Sequence, residues 1–279
     1  MGGFFHDITI SDTDFQRMVQ FIHKEYGIDL SKKRQLISSR LSNALKERGY
    51  TDFHSFVEHL FQAKDPAELE LVLNKLTTNY TFFLREKEHF TFFAQTVLPE
   101  LERRHQRDRV LSIWSAGCSS GEEPYTLSIY LKEYFGSNAR YWDTRILATD
   151  ISQQALNKAV NGKYQIPADM PDAWLRKYFR QDKATNQYEV SQELRDNVIF
   201  RTFNLMDPIR FKLKFDVIFC RNVMIYFDQP TRDALVRRFW EAMNPGGYLY
   251  ISHSESLGQT HLFHLVAPSI YRKRQPPHP

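Results

Sequence analysis

Two cysteines in 279 residues are too few for a disulfide framework, so a reducing, cytoplasmic setting is the expectation. No run approaches ~18 consecutive apolar residues, which excludes a helical membrane span. The opening Met1-Gly-Gly-Phe-Phe-His-Asp lacks a charged segment followed by a long apolar one, and no secretory leader is expected. The histidines are scattered, as at His54 and His59 or His261 and His264. Without H-E-x-x-H or Cys/His spacing, no metal is expected. A strong excess of one charge is also missing. The net +4 allows an acidic partner surface but falls far short of a dedicated nucleic-acid binder. The length suits one large domain or two modest ones, with no internal repeat.

What is present falls into two halves. From about Asp12 to Arg104 the pattern is helical. Ser11-Asp12-Thr13-Asp14 supplies capping side chains before a Phe15, Met18, Val19, Ile22 stripe. A second helix runs from about Lys33 through Ile37 and Leu41 to a stop at Gly49. Thr51 or Asp52 caps a third carrying Phe53, Phe56, Val57 and Leu60. Asp65-Pro66 starts a fourth with Leu69, Val72, Leu73 and Leu76. Between Lys24 and Arg48 seven basic residues face three acids, and Lys33 and Arg40, seven apart, share one flank of the second helix. Such a run is either a solvated face or a docking face for an acidic helical partner.

From Val110 onward strands alternate with helices. Strands are expected at Val110–Ser115, Arg145–Thr149, Val198–Phe203, Asp216–Cys220 and Gly247–Ser252, with an extended piece near Ser269–Arg272. Helices are expected at Pro124–Tyr134, Ser152–Val160 and Pro230–Met243. The alternation predicts a mostly parallel, doubly wound sheet with the first five strands in the order 3-2-1-4-5. Residues Gly162 to Asn197 break the rhythm with prolines, a polar stretch and a β-like Tyr188-Glu189-Val190, and predict an inserted subdomain. The basic, proline-rich tail Arg272–Pro279 is expected to be disordered.

The chemistry gathers at strand ends. Trp114-Ser115-Ala116-Gly117-Cys118-Ser119-Ser120-Gly121-Glu122-Glu123-Pro124-Tyr125 is a strand, a small-residue turn and a helix start. Its glycines would let the backbone approach a ligand beyond the strand. The spacing is neither the dinucleotide fingerprint nor a phosphate loop. Two acids at the place of a pyrophosphate favour a ligand with a cation or hydroxyls; the alternative is a plain turn whose acids suit a helix start. Asp150, closing the second strand, would bind ribose hydroxyls or cap the next helix. Asn204 beside Leu205 and Met206 suits a flat base. Cys220-Arg221-Asn222 closes the fourth strand. Asn79-Tyr80-Thr81-Phe82-Phe83-Leu84-Arg85-Glu86 joins the halves, either as a lid whose Arg85 pairs with a carboxylate or as an aromatic hinge. Cys118 and Cys220, at neighbouring strand ends, read as buried small hydrophobes rather than a redox pair.

Together these strings resemble the S-adenosylmethionine-dependent chemotaxis-receptor glutamate methyltransferases, the CheR family, over nearly the whole chain. The resemblance rests on Asn79-x-Thr81-x-Phe83-x-Arg85-Glu86, Gly121-Glu122-Glu123-Pro124-Tyr125, Thr149-Asp150-Ile151, Asn204-Leu205, Cys220-Arg221-Asn222-Val223-Met224-Ile225-Tyr226-Phe227 and His253-Ser254-Glu255-Ser256. It implies an all-α domain over residues 1–90, then a class I methyltransferase sheet over 91–279 with a small β-subdomain inserted at about 162–197. Cofactor contacts are implied at Asn79, Thr81, Arg85, Glu123 with Glu122 beside it, Asp150, Asn204, Leu205, Arg221 and Asn222. Arg85 and Tyr226 are implied at the reacting centre.

The implied product is a glutamyl methyl ester with S-adenosylhomocysteine. The implied partner is the helical, glutamate-rich methylation region of chemoreceptors, at whose membrane arrays the enzyme would be recruited without inserting. That gives Lys32, Lys33, Arg34, Arg40 and Arg48 a docking role. A regulatory protein partner stays open, no nucleic acid is expected, and a monomer is. One departure stands out: the inserted loop Arg180–Tyr188 has no glycine where tether-binding members carry a glycine-rich loop, which favours a tether-independent enzyme. The rivals are a non-methylating cofactor-binding regulator, against which intact Arg85 and Tyr226 speak, and a nucleic-acid methyltransferase, which would carry Asn/Asp-Pro-Pro-aromatic at the fourth strand.

Overall fold

A computed structural model describes residues 9–63, 65–77 and 79–274. The opening heptapeptide Met1–Asp7 and the last five residues of the basic tail lie outside them. The chain divides into two compact units, Met1–Asn79 with Tyr226–Asp228, and Tyr80–Ile225 with Gln229–Pro279. The division falls at Asn79 rather than at residue 90. The cause is packing: Phe83, Leu84 and Phe90 are buried in the core of the second unit.

The first unit contains α1 (Asp12–Tyr26), α2 (Arg34–Glu47), α3 (Phe53–Ala63) and α4 (Pro66–Leu76). Ser11 caps α1, its Oγ accepting from the Asp14 amide at 3.1 Å, and Gly27 ends it at φ +69°. Asp65 caps α4 ahead of Pro66. The stripes read from sequence are the buried ones: Phe15, Met18 and Ile22, then Ile37, Leu41 and Leu45, then Phe53, Phe56 and Leu60. α2 starts differently. Lys33 stands at its N-cap with no side-chain cap, and its first turn holds no acid. Far along the chain, Phe227 returns to pair antiparallel with Ile28, and the Asp29 amide donates to the Tyr226 carbonyl at 2.8 Å.

The second unit is built on strands β1 (Ile113–Ala116), β2 (Ile146–Asp150), β3 (Lys163–Tyr164), β4 (Phe179–Asp182), β5 (Gln187–Val190), β6 (Val198–Thr202), β7 (Phe215–Phe219), β8 (Met243–Tyr250), β9 (Phe263–Ala267) and β10 (Ile270–Lys273). Seven of them form one sheet in the order β6-β2-β1-β7-β8-β10-β9. β6, β2, β1, β7 and β8 are parallel, while β10 runs antiparallel to both β8 and β9. The expected 3-2-1-4-5 order holds for the parallel strands, and β9 and β10 extend it. All four β1 residues are buried. Trp114 lies in an aromatic cluster with Phe203, Phe211, Phe215 and Phe239, its Nε1 donating to Thr149 Oγ1 at 2.9 Å. Burial of such a ring, on the order of 200 Å², contributes about 5 kcal/mol of transfer free energy. Phe219 stacks on Tyr250, ring centroids 4.1 Å apart.

The insertion holds three strands, β3-β5-β4, rather than the single β-like piece legible at Tyr188–Val190. Its hairpin lacks glycine, but Asn186 supplies a left-handed residue at φ +53°.

Candidate active site

The carboxyl ends of β1, β2 and β7 meet because these strands are neighbours in the sheet. After β1 the backbone turns left-handed at Gly117 (φ +81°), Ser119 (+49°) and Gly121 (+95°). A methyl group on Gly117 would collide with Val223 Cγ2, and one on Gly121 would sit 2.7 Å from the Ala159 Cβ. Both glycines are therefore required by close neighbouring protein.

Asp150 fastens this turn. Its Oδ2 accepts from the Ser119 amide at 2.7 Å and its Oδ1 from the Ser152 amide at 2.9 Å. Ser152, not Asp150, caps the following helix. A carboxylate offers about four acceptor positions, so lone pairs remain for hydroxyl donors. Burial pushes the Asp150 carboxyl up, against the pull of the backbone amides of Ser152, Ser119 and Ile151.

The two adjacent acids part company. Glu122 is buried and accepts from Ser120 Oγ at 2.7 Å. Glu123 accepts from Ser115 Oγ at 2.7 Å and from Arg221 Nη1 at 3.0 Å. Burial raises both carboxyls, and for Glu123 the Arg221 charge only partly offsets it. Of the pair, Glu123 is the one that joins β1 to the end of β7.

Arg221 is the hub. Its Nη2 and Nε both donate to Glu86 Oε2, at 3.0 and 3.2 Å, and Nη2 also donates to the Arg85 carbonyl. Its Cζ lies 5.3 Å from the centre of the Phe90 ring, and the side chain is 3% exposed. Burial tends to raise the Glu86 carboxyl, but Arg221 first, together with His89 and the His253 amide, leaves it below the usual range. The sequence suggested Arg221 as a cofactor contact; its guanidinium is committed to protein acceptors. Arg85 donates from Nη1 to the Tyr80 carbonyl at 2.8 Å, and its Cζ lies 5.9 Å from the Phe82 ring. Leu84 (φ +62°) and Glu86 (φ +55°), on either side of it, are both left-handed without being glycine. Each costs roughly 1–2 kcal/mol.

The remaining predicted residues take separate positions. Thr81 is half-buried in the same segment. Asn204 Oδ1 accepts from the Met206 amide at 3.0 Å, and Leu205 is buried. Asn222 stands at φ +61°, its amide donating to Glu255. Glu255 also accepts from the amides of Ile225 at 3.1 Å and Ser252 at 2.8 Å. Asn79 ends the first unit, exposed, and Tyr226, closing a 3-10 turn, groups with that unit. A cavity of about 200 Å³ between the helix Gln229–Ala242 and the 255–262 loop is lined by Arg232, Arg237, Glu255 and His261 among others, and by none of the predicted cofactor residues.

Glu86, Ser115, Ser119 and Glu255 also hold the site together, and nothing in their local sequence signals it. His89 is 1% exposed, with its Nδ1 3.3 Å from Glu86 Oε2. Its ring lies 4.6 Å from that of His253. Glu86, His89 and His253 could present three metal-ligand atoms within 4.8 Å, but Arg221 already places a positive charge on that carboxylate.

In the first unit, Lys32, Lys33, Arg34 and Arg48 are exposed and Arg40 half-buried. Arg34 pairs with Asp12 and donates to the Ile10 carbonyl; Arg48 pairs with Glu68 at 3.0 Å; Arg40 donates to the Lys75 carbonyl. The Lys32 and Lys33 side chains make no ion pair among the described residues.

Residues 79–271 match the family described as CheR methyltransferase, SAM binding domain, and residues 13–77 match CheR methyltransferase, all-alpha domain. A chemotaxis protein methyltransferase of Borreliella burgdorferi is 39% identical over 275 residues, 96% of each chain. Those of Salmonella typhimurium and Escherichia coli are 35% and 34% identical, covering 95% of this chain and 91% and 92% of theirs.

Proposed function

Because the chain belongs to the CheR family of S-adenosylmethionine-dependent chemotaxis methyltransferases, we propose that its own reaction is methylation of glutamate side chains on chemoreceptors. The observation that carries this reading is the gathering of Asp150, Glu123 and the Arg221-held Arg85 turn at adjoining strand ends. The donor set fits the cofactor: spare lone pairs on Asp150 suit a ribose diol, and Asn204 with Leu205 suits an adenine. Glu123, beside Glu122 at the start of the helix after β1, supplies the negative charge for the cationic amine. Asn79, Thr81 and Asn222 complete the cofactor contacts we assign. When bound, S-adenosylmethionine supplies an electrophilic methyl group.

The protein's own chemical task is modest. A glutamate carboxylate (pKa about 4.3) is already ionised at neutral pH, so no general base is required. What remains is alignment and exclusion of water. Arg85 orients the acceptor carboxylate, and Tyr226 packs or hydrogen-bonds at the methyl. A tight guanidinium–carboxylate pair would dull the nucleophile, so the Arg85 bond to the Tyr80 carbonyl helps by sharing its donors. Lys32 and Lys33 lead the docking face, since Arg34, Arg40 and Arg48 have partners within the unit. The glycine-free hairpin at Arg180–Tyr188 favours docking without a receptor tether.

The decisive measurement is methyl transfer from tritiated cofactor to chemoreceptor membranes, scored as alkali-labile methanol. Arg85→Ala should lower the rate by orders of magnitude while circular dichroism stays native. Wild-type transfer in that variant would sink the assignment.

A further inference from the structure

The segment Tyr80–Glu86 has no regular secondary structure, yet it is fastened at successive points. The Leu84 amide reaches Thr126 Oγ1 at 3.4 Å, the Arg85 carbonyl takes Arg221 Nη2, and the Glu86 carboxylate takes Arg221 and the His253 amide at 3.4 Å. Between these fastenings the backbone is left-handed at Leu84 and again at Glu86. A leucine and a glutamate hold that conformation only where the surroundings over-determine it. Released, the turn would relax to ordinary backbone and swing the one side chain between them, Arg85.

We propose that Glu86 is a positioning residue for Arg85, acting through the buried Arg221 clasp. This rests on the reading of Arg85 as the group that orients the acceptor carboxylate. The geometry divides the labour. Arg221 is screened from solvent, sits against Phe90 and is braced from behind by Glu123, itself held by Ser115. It is therefore a fixed anchor just beyond the end of β7. Glu86 is the strap: one carboxylate oxygen takes two guanidinium donors and the other faces the His253 amide. Neither group uses the Arg85 side chain, which donates only from Nη1 to the Tyr80 carbonyl at 2.8 Å and so keeps donors for substrate. Glu86 touches neither cofactor nor acceptor in this scheme, so its loss alters turnover without altering cofactor affinity.

The test is a double-mutant cycle on the full chain, with kcat from receptor-membrane methylation and cofactor affinity from calorimetry with S-adenosylhomocysteine. Glu86→Gln should lower kcat at least tenfold with the dissociation constant within twofold of wild type. In an Arg85→Ala background the same change should cost less than twofold further, because there is no longer an arginine to position. Glu86→Asp keeps the charge for Arg221 but draws it back by one methylene. It should show the same kcat-only effect at smaller size, and it decides the matter if the glutamine variant fails to fold. Losses that add fully to those of Arg85→Ala, wild-type kcat in the folded Glu86 variants, or an effect confined to cofactor affinity would overturn the proposal. Wild-type activity in Arg85→Ala alone would instead overturn the underlying reading of Arg85.

Discussion

His89 carries a titratable ring into a fully buried position beside a cation. Burial first, and then Arg221, hold its pKa down at about 4, only partly countered by Glu86. In the unfolded chain the same ring titrates near 6.5. Between those values the unfolded state binds a proton that the folded state refuses, so stability falls as pH drops from about 6.5 to about 4 and levels off below. His89→Phe should flatten this slope: melting temperatures recorded from pH 7 to 4 should decline less in the variant. Equal slopes would show that His89 is not the group responsible. Residues of this kind were the hardest to read from sequence. The positions of Asp150, closing β2, and of Glu123, in the first turn of the helix after β1, were legible because strand, turn and helix start are local patterns. The Glu86–Arg221 contact spans 135 positions, and the partners of Glu255 are backbone amides, which leave no side-chain signature.

At the scale of the element, α2 begins against ordinary helix chemistry. Lys32, Lys33 and Arg34 cluster at the end of the helix where the macrodipole disfavours cations, and the N-cap Lys33 makes no side-chain cap. Lys33→Asp would supply both a cap and a favourable charge, so the melting temperature should rise, by about 1 kcal/mol of stability. The same change should raise the KM for receptor while leaving cofactor affinity alone. A variant more stable and unchanged in KM would refute the docking role. Elements with strong periodicity or caps were legible in sequence. β9 was not, because His264, Leu265 and Val266 are all exposed and the strand has no alternation. β4 was missed for a related reason: three of its four residues, Arg180-Gln181-Asp182, are polar.

At the scale of the whole molecule, cofactor binding should appear as selective stabilisation. S-Adenosylhomocysteine at a hundred times its dissociation constant adds about 2.7 kcal/mol to the unit that binds it, which is about 5–10 °C for a unit of this size. With two units the melt need not be two-state, and only the transition that includes the Asp150 loop should move. Asp150→Asn should abolish most of the shift, and an unchanged shift would remove Asp150 from the site. The division into an all-α part and a sheet part was legible from the change of period near residue 110. Its boundary was not, since Phe83 and Phe90 look like any other helix-flanking aromatics until their packing is known.

The pairing of Ile28 with Phe227 also sets a timetable for synthesis. About 200 residues separate the two, and ribosomes add roughly 5–20 residues per second. Ile28 therefore emerges about ten to forty seconds before the Phe227 segment that pairs with it. During that interval the backbone of Ile28 and Asp29 waits unpaired in the nascent chain.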